Sequence, residues 1–319
     1  ILDKWIGDTD RLCYDKVQFL PPPTIVPDNI FNSFSGFNYY NFTDNATDAD
    51  FSFIQSHIKY LCGEELQTEL FNYIEQYIAN IIFEPSKLSR ISILIKSGQG
   101  TGKNLFFEMF FKNVLYDDAV LSSSHADDFF GKFADTEKVF VGLFDEASGK
   151  DTFTLANFMK TAVASDIKRI ERKGKDTIQV QNNTRYICFS NGETPLQIEQ
   201  GDRRNIAIEC DNKKIEMDYI NILINTLNDK DILNSYITYL KSIYNPDFDW
   251  INKRPLTSYY RQLQSVNISQ YELFITNLIY KEKLSFIRRV RNINLLLIQH
   301  LEDVWLNLKV LKKLNQTEL

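Results

Sequence analysis

Cysteine and histidine are scarce in this chain of 319 residues, which holds four of the first and three of the second. Cys13, Cys62, Cys188 and Cys210 lie far apart with no metal-ligand spacing, and His57, His125 and His300 are scattered. That pattern argues against a structural zinc site and for a reducing compartment, so a cytoplasmic location is expected. Long apolar runs are missing too: none approaches the roughly 20 residues needed to cross a bilayer. Nothing at the start resembles a signal peptide, and the chain opens on Ile1 rather than Met, so it is expected to be a fragment of something larger. Positive charge is in deficit overall. A net charge of −6 opposes nucleic-acid binding by the surface as a whole.

What remains is an ordinary globular balance, 44% hydrophobic and 24% charged, with length enough for two or three domains. Phe (24) and Tyr (16) are abundant and belong mostly to the core. The positive charge that exists is concentrated. Ile167 to Lys175 packs Lys168, Arg169, Arg172, Lys173 and Lys175 around Glu171, and residues 281–319 hold eight basic side chains against four acidic ones. Two such segments can bind phosphates locally while the whole stays acidic, although most charge runs are solvated faces.

Along the chain, residues 1 to about 50 read as an irregular wrapping segment around Pro21-Pro22-Pro23 and the aromatic stretch Phe31 to Asp50. From Asp50 to Phe83 the pattern is helical, with Leu66, Leu70, Phe71, Ile74, Ile78 and Ile81 forming a stripe. Ile91 to about Cys210 alternates strands (91–96, 139–144, 184–190, 205–210) with helices near 103–114 and 151–164, the pattern of a parallel sheet. Residues 214–244 are helical, Asn245 to Pro255 reads as a linker, and the last 60 residues as helical or winged-helix. Three domains follow: 1–85, 86–212 and 213–319. The fold class is α/β.

The chemistry starts where the strand Ile91–Ile95 breaks into Ser97-Gly98-Gln99-Gly100-Thr101-Gly102-Lys103-Asn104. Its glycines let the backbone turn sharply and aim N–H groups at one point. The next helix, with Leu105, Phe106, Met109 and Phe110 on its apolar side, presents its positive end there, so an anion is expected. Lys103 then reaches the β- and γ-phosphates of a nucleotide. Two positions depart from the usual loop: Ser97 stands where Gly is common, and Asn104 where a hydroxyl normally ligates Mg²⁺, leaving Asn104 an amide oxygen or a water bridge.

Val139 to Glu146 is a hydrophobic strand ending in two acids, of the kind expected beside the loop strand. There Asp145 holds Mg²⁺ and Glu146 polarises the attacking water. Arg185 to Asn191 is an apolar strand ending in an amide that can hold that water in line. The pair Arg203-Arg204 suits an arginine finger, against the plainer reading of a salt-bridged surface turn. Residues 168–175, followed by the alternating Thr177 to Gln181, suggest a β-hairpin with a cationic tip fit to track a phosphate backbone.

In this order the motifs resemble superfamily 3 helicases, in particular the helicase half of phage primase–polymerases. The resemblance runs from Asn32–Phe37 to about Ser265, with the last 50 residues adding little. It implies an AAA+ core with flanking helices that binds ATP and Mg²⁺ and assembles as a ring, usually a hexamer, around single-stranded DNA. It also implies a primase or polymerase domain in the same polypeptide and a viral setting in the host cytoplasm. Carried over residue by residue, it makes Gly98 to Asn104 the nucleotide loop, Lys103 its lysine, Asp145 and Glu146 the paired acids and Asn191 the sensor amide; Asp145 and Asn104 are the expected metal ligands, Asn104 departing from the commonest loop. Arg203 or Arg204 becomes the finger and Arg172 to Lys175 the pore hairpin, and from their charge Lys168, Arg169, Arg172, Lys173 and Lys175 are the residues expected to meet DNA. Two alternatives stand beside this reading: an AAA+ ATPase that remodels protein partners, and a non-catalytic nucleotide-binding ring.

Overall fold

The computed structural model describes residues 7–42, 48–145, 159–174, 176–191, 198–199, 201–210 and 214–266. The N-terminal stretch is less irregular than its composition implies. Two short strands, β1 (Lys16–Gln18) and β2 (Ile30–Asn32), pair in parallel and are followed by a 3-10 turn at Asn38–Asn41. The wrapping itself is aromatic: Phe19 and Phe37 are buried and meet Phe140, their ring centroids 5.8 and 5.1 Å from its own.

Two helices come next, α1 (Ser52–Cys62) and α2 (Gln67–Phe83), and Leu70, Ile74, Ile78 and Ile81 of the expected stripe are buried. Leu66 is not; it sits exposed before α2 with a left-handed backbone (φ 53°). The chain then enters β3 (Ser92–Lys96), every residue of which is buried, and turns into α3 (Lys103–Val114). The inner face of α3 is rotated from the expected one. Phe106, Phe107, Phe110 and Phe111 are fully buried, whereas Leu105 and Met109 are only partly covered.

The remaining strands of the main sheet are β4 (Val120–Ser123), β5 (Val141–Phe144), β8 (Arg185–Ser190) and β9 (Asn205–Glu209). Between them lie α4 (Ala126–Phe130), helical residues 159–164, and the antiparallel hairpin β6 (Ile167–Ile170) and β7 (Ile178–Gln181). The sheet is wholly parallel in the order β4-β5-β8-β3-β9. Its central strands are continuous apolar runs because both faces are covered. Alternation sorts the side chains: Ile93 and Ile95 face a core shared with α1, α2 and α3, while Leu94 faces a second core containing Phe129, Met159, Val163 and Tyr186.

Downstream, α5 (Met217–Asn228) and α6 (Lys230–Ile243) add Leu223, Leu227, Leu233, Tyr236 and Leu240 to the first core. Asp229 separates them and caps α6, accepting from the N–H groups of Asp231 (2.9 Å) and Ile232 (3.2 Å). The short helix α7 (Ser258–Val266) covers the second core through Tyr259, Tyr260 and Leu263. This is an α/β fold with helices on both faces of one parallel sheet.

Candidate nucleotide-binding site

The sheet order decides where ligands can go. The chain leaves β3 for the β4 edge, returns through β5 and β8, and then crosses to β9 on the far side of β3. Such a switch opens a crevice at the carboxyl ends of the strands, and the loop 97–102 sits there. Gly100 (φ +78°) and Gly102 (φ +75°) adopt left-handed backbone. A Cβ on Gly102 would lie 3.1 Å from His57 Cε1, and one on Gly100 would lie 3.0 Å from Lys214 Cγ. Both conformation and space therefore require glycine.

Ser97 has a structural use. Its buried hydroxyl donates to the Gly98 carbonyl (3.1 Å) and accepts from Thr101 (2.9 Å), so the loop is knitted from within. Its N–H donates to the Ser190 carbonyl at 3.0 Å. The Lys96–Ser190 pairing of β3 with β8 brings the loop beside Asn191. Lys103, at the first turn of α3 and only 7% exposed, donates through Nζ to Asn191 Oδ1 (3.0 Å) and to Gly98 O (3.3 Å). Lys103 and Asn191 are thus joined.

Asn104 provides the fit test for a cation. Its Oδ1 is buried and has no hydrogen-bond partner among the described residues. A buried, unpaired carbonyl-type oxygen is costly unless something occupies it, and Asn104 holds the sequence position at which such loops usually carry a hydroxyl. An amide oxygen is the kind of donor that a hard divalent cation takes.

One expectation is corrected. The acid-bearing strand β5 is not beside the loop strand, because β8 lies between them. Two strand spacings, about 10 Å, therefore separate β5 from β3, and Asn191 stands at the end of the strand between. Asp145 follows β5 at the same edge, partly exposed, its N–H donating to Ser123 O at 2.9 Å. Glu146 lies outside the described residues.

The arginine pair and the basic hairpin lie elsewhere. Ser92 pairs with Asn205, and Ser92 N–H donates to Arg204 O at 2.7 Å, so Arg203 and Arg204 sit at the amino end of the sheet. Five residues of strand separate that end from the loop, roughly 16 Å at 3.3 Å per residue. Arg203 is exposed and Arg204 partly buried. The hairpin springs from the same end: Asn182 N–H donates to Asp166 O (2.8 Å), and Arg90, just before β3, holds the Asp166 carboxylate at 2.8 and 2.9 Å.

Its five basic residues are not equivalent. Lys168 turns inward, donating to Thr136 O and to Thr184 Oγ1 (2.9 Å), and burial lowers its pKa to about 7. Arg172 forks onto Asp135 (2.7 and 3.2 Å) and Glu137 (2.5 Å), which lowers the Asp135 pKa. Arg169 and Lys173 are exposed, Gly174 turns the tip with φ +75°, and Lys175 lies outside the described residues.

Sequence reasoning missed several supports. His57 on α1 is fully buried against the loop, its Nδ1 3.3 Å from Tyr219 Oη, and burial lowers its pKa to about 4, leaving it neutral. Ile215 N–H donates to Gly100 O at 3.2 Å, bracing the loop from the β9 side. Neither carried a signal, since both come from segments remote from the motif.

Residues 95–204 match a family of unknown function, DUF5906, a span containing the loop, Asp145, the hairpin and Asn191. A DNA primase-polymerase of Nitratiruptor phage NrS-1 is 25% identical over 143 residues, 43% of this chain and 20% of that protein. The match thus spans about a fifth of the curated relative's length. Two structures of the NrS-1 C-terminal region superpose on 90% of the chain, with TM-scores of 0.67 and 0.66 at 16% and 15% identity, covering 70% and 71% of those chains. The fold is that of the NrS-1 C-terminal region. The expected resemblance to a phage primase–polymerase holds in sequence and in fold.

Proposed function

We propose that this chain is the ATP-driven motor of a replicative DNA helicase, acting as a ring on single-stranded DNA and joined to a primase or polymerase domain. The observation that carries the reading is the division of labour across the sheet. A phosphate loop with Lys103 bonded to Asn191 occupies the carboxyl end, while both arginines and the basic hairpin occupy the amino end. No single subunit can bring its own Arg203 to its own loop across roughly 16 Å of strand. A neighbour in a ring can.

In this reading the N–H groups of Gly98 to Lys103 and the positive end of α3 hold the triphosphate. Lys103 exchanges the oxygens of Gly98 and Asn191 for phosphate oxygens. Asn191, released, orients the attacking water, and Glu146 accepts its proton. Asn104 Oδ1 and Asp145 would hold Mg²⁺, which neutralises charge on the β- and γ-phosphates when bound. Arg203 or Arg204 of the adjacent subunit meets the charge that develops in the transition state. Arg169 and Lys173, with Lys175, track the DNA backbone without reading bases.

The test is ATP hydrolysis measured with and without single-stranded DNA across protein concentration. Turnover should rise with DNA and with assembly, because the finger acts across a subunit boundary. Equal turnover without DNA, or full DNA-stimulated activity in a strictly monomeric preparation, would sink the proposal.

A further inference from the structure

The loop that carries the arginine pair is gripped by a part of the chain some fifty residues downstream. Arg254 and Asp202 form an ion pair at 3.3 Å, their side chains only 8% and 4% exposed. The Arg254 fork also donates to the carbonyls of Asp202 (2.9 Å) and Asn205 (3.1 Å) and to Tyr260 Oη (3.3 Å). Tyr260 in turn donates to the Asp202 carbonyl at 2.8 Å, and its ring lies 4.9 Å from the Arg254 guanidinium carbon. The Asp202 carboxylate then accepts from the N–H groups of Arg204 (3.3 Å) and Asn205 (3.0 Å).

The grip extends on both sides. Gln264 donates to Glu199 O at 3.1 Å, and Ser92 Oγ donates to Asn205 Oδ1 at 2.6 Å. The clamp itself is fastened to the sheet, since Thr257 Oγ1 donates to Ala207 O (2.6 Å) and Glu65 caps α7 through Ser258 N–H (2.8 and 3.0 Å). Between these fixed points Arg203 is exposed. An exposed tip between Asp202, held by Arg254 and Tyr260, and Asn205, held by Ser92 and Arg254, is a device for delivering one side chain in a set position.

We propose that Arg254, assisted by Tyr260, is a positioning residue that sets the arginine loop for insertion into the nucleotide site of the neighbouring subunit. The inference rests on the ring reading above. Arg254 touches no nucleotide in its own subunit, because the loop 97–102 lies at the other end of the sheet. Its planar fork engages Asp202 and two carbonyls together, a geometry lysine reproduces only in part. Loss of the clamp should therefore lower turnover, leave nucleotide affinity alone, and act on the finger side of the interface.

The experiment is steady-state ATP hydrolysis by the full chain, as single variants and as mixed subunits. Misplacing a catalytic group by about 1 Å costs on the order of 10²-fold. Arg254→Ala is accordingly expected to lose about 10- to 100-fold in kcat with KM for ATP nearly unchanged, and Arg254→Lys to retain an intermediate rate. Mixed with Lys103→Ala subunits, Arg254→Ala should regain turnover, since one subunit offers an intact loop and its neighbour an intact arginine tip. Mixed with Arg203→Ala subunits it should regain none, both being defective on the same side. Rescue by both partners or by neither, or a rise in KM that accounts for the loss, overturns the proposal. If Arg254→Ala does not fold, Tyr260→Phe decides: it removes one hydroxyl, keeps the ring, and must show the same one-sided rescue. Failure of both Arg203→Ala and Arg204→Ala to complement Lys103→Ala would instead refute the ring reading itself.

Discussion

At the carboxyl end of the sheet, Lys103 is held by the oxygens of Gly98 and Asn191, and the loop is shaped by glycines and two hydroxyls. At the amino end, Arg172 is held by two carboxylates, Lys168 turns inward onto Thr136 and Thr184, and Arg254 grips Asp202. The first end presents backbone dipoles and an ammonium to a point an anion can enter. The second compensates its own charges before any ligand arrives. A preorganised site and a latched one share one sheet, and each should respond to a different class of change.

The sharpest way to break this comparison is to disable one end and read the other. On the proposed reading, Lys103→Ala removes the cation that meets the phosphates, and Glu146→Gln removes the base. Each should cost at least about 10²-fold in ATP turnover, as loss of such preorganised groups does. Neither should change the salt dependence of single-strand binding. Wild-type hydrolysis by Lys103→Ala would show that the carboxyl end is not the site.

The amino end depends on a buried cation. Arg185 opens β8, fully buried, and donates to Asn80 Oδ1 (2.9 Å) and to the carbonyls of Glu84 (2.9 Å), Lys87 (2.7 Å), Asn183 (3.0 Å) and Pro85. It ties the end of α2 to the start of the strand. Arg185→Ala leaves several buried acceptors unpaired, at about 1–3 kcal/mol each, so a loss of at least about 3 kcal/mol in unfolding free energy is expected. Denaturant unfolding checks it. A variant within 1 kcal/mol of the parent would mean that water replaces the guanidinium there.

How much of this was legible in the sequence follows the same division. Gly98 to Asn104, Asp145 and Asn191 could be read because each stands at a strand end and strand ends are marked by where apolar runs stop. Strand β4 escaped notice because an edge strand of four residues with one buried side chain gives no run. The place of β8 between β3 and β5 was not legible, because strand order is set by crossovers and not by local pattern. The hairpin was recognised from its alternation and its glycine. That Lys168 and Arg172 are engaged inside the subunit was not, since Asp135, Thr136 and Glu137 belong to a separate segment. For the same reason Arg254 looked like part of a linker. Residues 281–319, the other basic segment, lie outside the described residues.

His57 sharpens the comparison through pH. Buried behind the loop, its pKa is lowered from 6.5 to about 4 by desolvation. Between those values the unfolded chain takes up a proton that the folded chain refuses, so the His57 contribution to stability should fall as pH drops from 6.5 toward 4 and be level above. At 1.36 kcal/mol per unit, the contribution is up to about 3 kcal/mol. His57→Gln should flatten that slope while leaving hydrolysis near pH 7.5 within a fewfold of the parent. An unchanged slope would show that another group governs acid sensitivity.

The smallest expected effect is the most informative about the latch. Arg169 and Lys173 are exposed on the hairpin, whereas Arg172 is forked onto Asp135 and Glu137. Counterion release sets the slope of log affinity against log salt at about −0.7 per single-strand phosphate neutralised. Replacing Arg169 and Lys173 with Ala should therefore make the slope shallower by up to about 1.4 per hairpin. Replacing Asp135 with Asn and Glu137 with Gln keeps every basic residue and removes both charges that hold Arg172. If DNA phosphates compete with those carboxylates, the freed guanidinium should steepen the slope by about 0.7 and raise affinity severalfold. Arg172→Ala separates two outcomes. Weakened binding means that Arg172 leaves its carboxylates for DNA, and unchanged binding with a lower melting temperature means that the fork only fastens the hairpin. In the second case the acidic pair belongs to the fold, and tracking of the strand rests on the exposed residues alone.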